Sequence, residues 1–209
     1  MSTLKENVLK SVNKHIIDRE EERLRKKKNN GSFGEIVWRH RPSHQCHNIK
    51  LGHVVEAVWN DSVKSVDNNF KLIDDDRIDI GGTSTQMDVL FVDDQSKKVY
   101  YFESKNNINL DTEKGPATAE KVEKVRNALE GKYSGYDVIA KILTGRYSTT
   151  SVIPKNLFKN NLTKDNIIGY NDFFELIGHH QTSEKEWANI WYEIGTYILD
   201  ETRRIEEAA

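Results

Sequence analysis

Residues 85–107 read TQMDVLFVDDQSKKVYYFESKNN: two apolar runs, rich in β-branched and aromatic residues, on either side of a polar turn. That pattern is the signal for an antiparallel hairpin. Alternate residues of a strand share a face. The first strand therefore puts Asp88, Leu90 and Val92 on one side, and the second puts Val99, Tyr101, Glu103 and Lys105 on one side. With Gln95 and Ser96 at the centre of the turn, Val92 faces Val99, Leu90 faces Tyr101, and Asp88 falls beside Glu103. Two carboxylates and an ammonium are expected at the open end of an otherwise apolar face.

Such a cluster suits metal-assisted hydrolysis of a phosphodiester. The carboxylates of Asp88 and Glu103 and the backbone carbonyl of Ser104 are hard oxygen donors of the kind Mg²⁺ accepts while keeping several waters. The ion stabilises charge on phosphoryl oxygens and acidifies the attacking water. Lys105 would hold that water or neutralise the transition state. The competing reading is a solvated face with an ordinary cross-strand ion pair, and the D…ExK string alone does not separate the two.

Asp88, fourteen further residues, and then Glu103-Ser104-Lys105 after a hydrophobic strand together resemble the PD-(D/E)xK nucleases, the restriction-endonuclease-like enzymes of restriction, repair and recombination. Met87 stands where that motif often has proline. The resemblance implies an α/β fold, a mixed central sheet flanked by helices, in which the Asp and Glu bind Mg²⁺ and the Lys assists hydrolysis. It also implies a helix crossing over the sheet after the ExK strand, and a further carboxylate on a helix ahead of the hairpin. Gly52-x-x-x-Glu56 looks like that last element, so Glu56 would join the catalytic set as a ligand of a second metal or as a water holder; a solvated Glu at a helix edge is the other reading. The compact size resembles a type II restriction endonuclease, which implies cleavage of double-stranded DNA at a short specific site by a homodimer. Two alternatives remain: a repair, recombination or structure-specific nuclease of the same fold, and a non-catalytic DNA-binding module.

The 209 residues suffice for one substantial core. They are read as a single domain, 1–209, with helical additions at about 1–30 and 183–209. The opening MSTLKENVLKSVNKH lacks the apolar region of a secretory signal, and no segment approaches membrane-spanning length. Cys46 is the only cysteine, which excludes an internal disulfide and fits a reducing, cytoplasmic setting. The net charge of −2 argues against a passive, sequence-independent nucleic-acid coat; DNA contact would rest on local basic surfaces.

Outward from the hairpin, Leu4, Val8, Val12, Ile16 and Leu24 predict a helix over about residues 4–28. The cations that crowd its end (Arg23, Arg25, Lys26, Lys27, Lys28) either complement the helix dipole or contact phosphate. Residues 31–50 read as irregular. His40, His44, Cys46 and His47 are zinc ligands by atom type, but no second pair completes a finger-like site. Arg39, His40, Arg41 and His44 reach toward DNA or form ordinary polar surface. Val54, Val55, Val58, Trp59, Val63 and Val66 predict a helix from residue 51. Phe70, Leu72, Ile78 and Ile80 suggest a strand, an acidic turn and a short continuation, with residues 81–84 a flexible lead into the hairpin.

Beyond the hairpin, Asn106, Asn107 and Lys114 are candidates for phosphate or base-edge contact, although turn propensity also puts asparagines there. A helix follows from Pro116, with Val122, Val125 and Leu129 inward and Lys121, Lys124 and Arg126 on its other face; Glu120 or Lys121 is a weak candidate to approach the site. The apolar run from Tyr136 to Leu143 predicts a buried parallel strand. Arg146 in the loop after it is a further candidate for DNA contact. A short helix near Pro154, a last strand at 166–170, a small helix ending at Gly178 and a long terminal helix opened by the Ser183 capping box complete the chain. Trp187, Ile190, Trp191, Ile194, Tyr197, Ile198 and Ile205 form a stripe on that last helix. It either packs on the first helix or builds a dimer.

Overall fold

The computed structural model describes residues 3–25, 44–66, 69–73, 77–105, 114–158 and 162–207. Their contacts divide the chain into two compact units, Met1–Val58 with Ser183–Ala209, and Trp59–Thr182. The fold is mixed α/β. The helical additions expected at both ends of the chain belong to the first unit, and the sheet belongs to the second.

The second unit is built on a five-stranded sheet with order β1-β4-β5-β6-β7. β1 (Phe70–Leu72), β4 (Val89–Asp93) and β5 (Lys98–Lys105) are antiparallel in turn, while β6 (Asp137–Thr144) and β7 (Ile167–Gly169) continue parallel to β5. The hairpin has the register that the alternation predicts: Val92 pairs with Val99 and Leu90 with Tyr101. Its turn is held by Asp93, whose Oδ1 accepts the amides of Gln95 and Ser96 at 3.0 and 3.1 Å. Asp side chains commonly close turns in this way.

Each face of the sheet has its own packing. Leu90, Val92, Val99, Tyr101 and Ile142 pack with Val122, Val125 and Leu129 of the crossover helix α4 (Lys114–Lys132). On the other face Tyr100 stacks with Phe91 and Phe102, Phe70 packs at a tilt on Phe91, and Phe173 meets Phe102 edge-on and Trp59 edge-on, the latter at 5.6 Å between centroids. Each buried ring of this size contributes about 1.5–3 kcal/mol. These two layers fix the hairpin from both sides, so its open end is a rigid platform.

Three sequence expectations are corrected. Arg77–Ile80 (β2) does not continue β1; it pairs with Thr83–Gln86 (β3) in a separate two-stranded hairpin. Gly81 and Gly82, with φ of 61° and 84°, supply the two left-handed positions of its tight turn. Thr85 and Gln86 therefore belong to that second hairpin, not to the first. Between residues 150 and 158 there are two 3₁₀ turns, Thr150–Val152 and Lys155–Leu157, in place of one short helix. Finally, the helix α3 runs from His44 to Ser65, so His44, Cys46 and His47 lie on helical backbone and not in an irregular loop. The polar run 44–48 lacks apolar periodicity, so the pattern marks the helix only from residue 51.

After β7 the chain is laced to the loop that follows β6. Tyr170 and Asn171, opening α5 (Tyr170–Ile177), donate their amides to the carbonyls of Tyr147 and Ser148 at 3.0 and 2.7 Å. The Asp172 carboxylate accepts from the amide and hydroxyl of Thr150 at 2.6 and 2.7 Å. Gly178 closes α5 in the left-handed conformation.

In the first unit, α1 (Leu4–Val12) begins with a Thr3–Glu6 capping box and passes through a π-helical turn, Asn13–Ile17, into α2 (Asp18–Arg25). The terminal helix α6 (Glu184–Glu207) packs on these elements. Trp187, Ile190, Ile194 and Ile205 are buried with Val8, Val12 and Ile16, and the Tyr197 hydroxyl donates to Asn13 Oδ1 at 2.6 Å. Of the two readings of the α6 stripe, packing on the first helix is the one observed. No helix among the described residues is long and apolar enough to cross a membrane.

The lacing at β7 leaves no room for a side chain at Gly169, where a Cβ would stand 2.6 Å from the Ser148 carbonyl oxygen. Gly169→Ala is expected to cost about 1–3 kcal/mol through overpacking against backbone that cannot yield, read as a lower urea midpoint with an unchanged slope.

Candidate active site at the open end of the hairpin

The pleat of β5 puts Tyr101, Glu103 and Lys105 on the face covered by α4. Glu103 is nearly sealed, its side chain 4% exposed, and both carboxylate oxygens are engaged. Oε1 accepts from Lys105 Nζ at 2.7 Å, while Oε2 accepts from the Tyr101 hydroxyl and from Lys121 Nζ, each at 2.6 Å. Lys121 is delivered by α4, beside the buried Val122 and one helical turn before the buried Val125.

Asp88 stands one residue ahead of β4. The antiparallel ladder ends at the pair Val89 and Phe102, and the Asp88 carboxylate takes over beyond it, with Oδ2 accepting the Ser104 amide at 2.7 Å. The backbone carbonyl of Asp88 in turn accepts from Asn60 Nδ2 at 3.0 Å. Ser104 alternates to the opposite face, where its hydroxyl accepts the Trp59 indole N–H at 3.1 Å. Asp88 is thus tied to the peptide between Glu103 and Lys105, and the last turns of α3 brace both strands.

Burial alone would push the Glu103 carboxyl up. The charge and hydrogen bond of Lys105, and the hydrogen bonds of Lys121 and Tyr101, outweigh that and hold it below the usual carboxylate range. Burial, followed by the negative charge of Glu103 and the bond to it, pushes the Tyr101 phenol far above its ordinary value, so it stays a donor. Asp88 and Glu103 with Lys105 and Lys121 make a charge-neutral set, the condition under which ionised groups are buried at acceptable cost.

The donors on offer, two carboxylates and the Ser104 carbonyl, are all hard oxygens. They suit Mg²⁺ and not a softer ion. Among the described residues no group of three or more His, Cys, Asp and Glu side chains gathers to hold a metal. Asp88, Glu103 and the Ser104 carbonyl are the hard-oxygen donors that could hold such an ion, which would retain much of its water. That donor set fits the ion, with one constraint: a carboxylate has about four acceptor positions, and three on Glu103 are taken.

The structure brings together Asp88, Glu103, Ser104 and Lys105, as their spacing predicts. Glu56 lies on α3 in the first unit, 27% exposed, with its Oε2 3.4 Å from His53 Nδ1. Arg146 is exposed beyond the end of β6, in a register where Thr144 pairs with Lys105; its guanidinium lies 5.7 Å from the centroid of the Tyr147 ring. Lys114 opens α4 and His44 opens α3 by their backbones. Arg39, His40, Arg41, Asn106 and Asn107 fall outside the described residues.

The sequence presents Tyr101 only as an apolar neighbour of Leu90 and gives Trp59 and Asn60 no polar role; of Glu120 and Lys121, the two weak candidates to approach the site from the helix, Lys121 is the one that reaches Glu103. One signal for Lys121 is in the sequence. It is spaced three residues after Thr118 and four before Val125, both buried, and a lysine in phase with a buried stripe needs a charged partner inside. No family model matches the chain, and a search of curated proteins gave no match.

Because Glu103 is held below its unfolded value, its contribution to stability is complete above the unfolded carboxylate range, about pH 4.3, and is lost as pH falls through the lower folded value. Glu103→Gln is expected to cost about 1–3 kcal/mol near neutrality. It should also flatten the acid limb of the stability curve, read by urea unfolding at successively lower pH. An equally steep limb in the variant would assign the acid sensitivity to other carboxylates.

Proposed function

We propose that this chain is a Mg²⁺-dependent nuclease of the PD-(D/E)xK, restriction-endonuclease-like kind. It hydrolyses phosphodiester bonds in double-stranded DNA, and it does so as a type II restriction endonuclease acting as a homodimer on a short specific site. The observation that carries the reading is the meeting of Asp88, Glu103 and Lys105 at the end of a hairpin that continues through a crossover helix into a parallel strand.

Asp88, Glu103 and the Ser104 carbonyl would hold Mg²⁺, which would neutralise charge on the phosphoryl oxygens and lower the pKa of water. Lys105, anchored on Glu103 Oε1, orients the attacking water and balances the negative charge that builds as it adds to phosphorus. The P–O ester bond opposite then breaks; the attacking water gives up one proton to solvent, and the leaving oxygen takes one from solvent. The bond from the Ser104 amide fixes the Asp88 carboxylate against the strand, so the donors need little reorganisation. Glu56 joins as a further carboxylate on the family resemblance. Arg39, Arg41, His44, Asn106, Asn107, Lys114 and Arg146 are the proposed DNA contacts, with Arg146 on the same sheet edge as Lys105.

A second reading draws on the same cluster. Glu103 already satisfies two ammoniums and a phenol, as the closed ion-pair core of a non-catalytic DNA-binding module would. Incubation with phage DNA, with and without Mg²⁺, separates the two. Discrete fragments with uniform ends support a site-specific enzyme, and cutting confined to branched or damaged DNA supports a structure-specific nuclease. Binding without cutting supports the module.

Asp88→Ala and Lys105→Ala are each expected to reduce Mg²⁺-dependent cleavage by more than about a hundredfold while leaving the circular dichroism unchanged. Chelation of the metal should do the same to the native chain. Full activity in both variants would sink the assignment.

A further inference from the structure

Glu103 has one cation more than a D…ExK cluster requires. Among the described residues Oε1 has a single donor, Lys105, and Oε2 has two, the Tyr101 hydroxyl and Lys121. Removing Lys121 would leave each oxygen with one donor, whereas removing Lys105 would leave Oε1 bare. The two lysines also differ in attachment. Lys105 is two residues from Glu103 on the same strand, while Lys121 reaches the site from α4; both side chains are 31% exposed. Lys121 is therefore the ammonium whose departure leaves neither oxygen without a donor.

The charges point the same way. The charges of these four described residues, Asp88, Glu103, Lys105 and Lys121, sum to zero, so together they attract a divalent cation less than the two carboxylates would alone. Without Lys121 the set would carry a net negative charge. Two ammoniums and a divalent ion cannot crowd one carboxylate without strong like-charge repulsion. A phosphodiester brought alongside supplies the negative charge that an ammonium leaving Oε2 needs.

Resting on the nuclease reading, we propose that Lys121 is a positioning residue with two successive partners. It is the resident counter-ion of Glu103 until a divalent cation is held there, and it then becomes a hydrogen-bond donor to a non-bridging oxygen of the substrate phosphodiester. The site holds metal weakly by itself and more tightly once DNA is present, because Lys121 exchanges one anion for the other.

The test is Mn²⁺ titration of the full chain by calorimetry, for the native protein, Lys121→Met and Lys121→Arg, with single-turnover cleavage of DNA measured beside it. Lys121→Met is expected to bind Mn²⁺ about tenfold more tightly and to cleave about tenfold more slowly at saturating metal, while Lys121→Arg retains the native affinity. A merely structural lysine would give unchanged or weaker metal binding on removal, and either result overturns the proposal. If Lys121→Met does not fold, Lys121→Gln is measured in its place against the same expectation. A native chain that binds Mn²⁺ and cuts DNA, with a variant that binds no more tightly, overturns only the role of Lys121. A native chain that neither binds Mn²⁺ nor cuts overturns the nuclease reading and this proposal with it.

Discussion

The sheet unit depends on keeping one carboxylate ionised where water scarcely reaches it. Glu103 lies at the end of β5 under α4, and burial opposes its charge. A phenol and two ammoniums reverse that balance, and they come from two separate elements, β5 and α4. The ion cluster thereby joins the crossover helix to the strand at the polar end of an interface that elsewhere is held by Val122, Val125 and Leu129 against Leu90, Val99 and Ile142. Breaking one partner of such a cluster costs more than forming the whole cluster contributes, so its worth lies more in specifying alignment than in adding stability.

The opposite face of the sheet braces the strand ends with packed rings. Phe91, Tyr100 and Phe102 form a continuous aromatic layer, and Phe173 and Trp59 close over it. Trp59 is part of that layer and also the donor to Ser104. The same residue therefore packs the back of the sheet and restrains the peptide between Glu103 and Lys105. Asn60, next along α3, restrains the backbone of Asp88. The last turns of this helix thus set where Asp88 and Ser104 stand.

What was readable in the sequence followed from short-range regularities. The hairpin register came from period-two alternation and a turn of known length, and Gly178 and Ser183 marked helix ends by their own chemistry. Where regularity was missing, the reading failed. The polar opening of α3 has no apolar stripe, and Thr83–Gln86 is too polar to signal a strand except through the glycine pair before it. The meeting of Asp88 with Glu103 was legible because both belong to one hairpin. The Trp59–Ser104 bond, across 45 residues, was not, because only the closed fold brings those elements together. Lys121 lay between these cases: its helical phase was visible, and its partner was not.

The π-helical turn Asn13–Ile17 acts on everything that follows it in the first helix. Each residue of an α-helix advances the side chains by about 100°, and a π turn carries one residue more than the regular spiral allows. Ile16 and Ile17 are consequently both buried, and the inward direction passes on to Glu20, which is 2% exposed and 2.9 Å from Lys50 Nζ. Without that surplus residue, α2 would be rotated by roughly a quarter turn or more, carrying Glu20 away from its cation and bringing a neighbouring charged side chain toward the core. One supernumerary residue thus sets the rotational phase of the helix, and the length of this segment is as tightly specified as its composition.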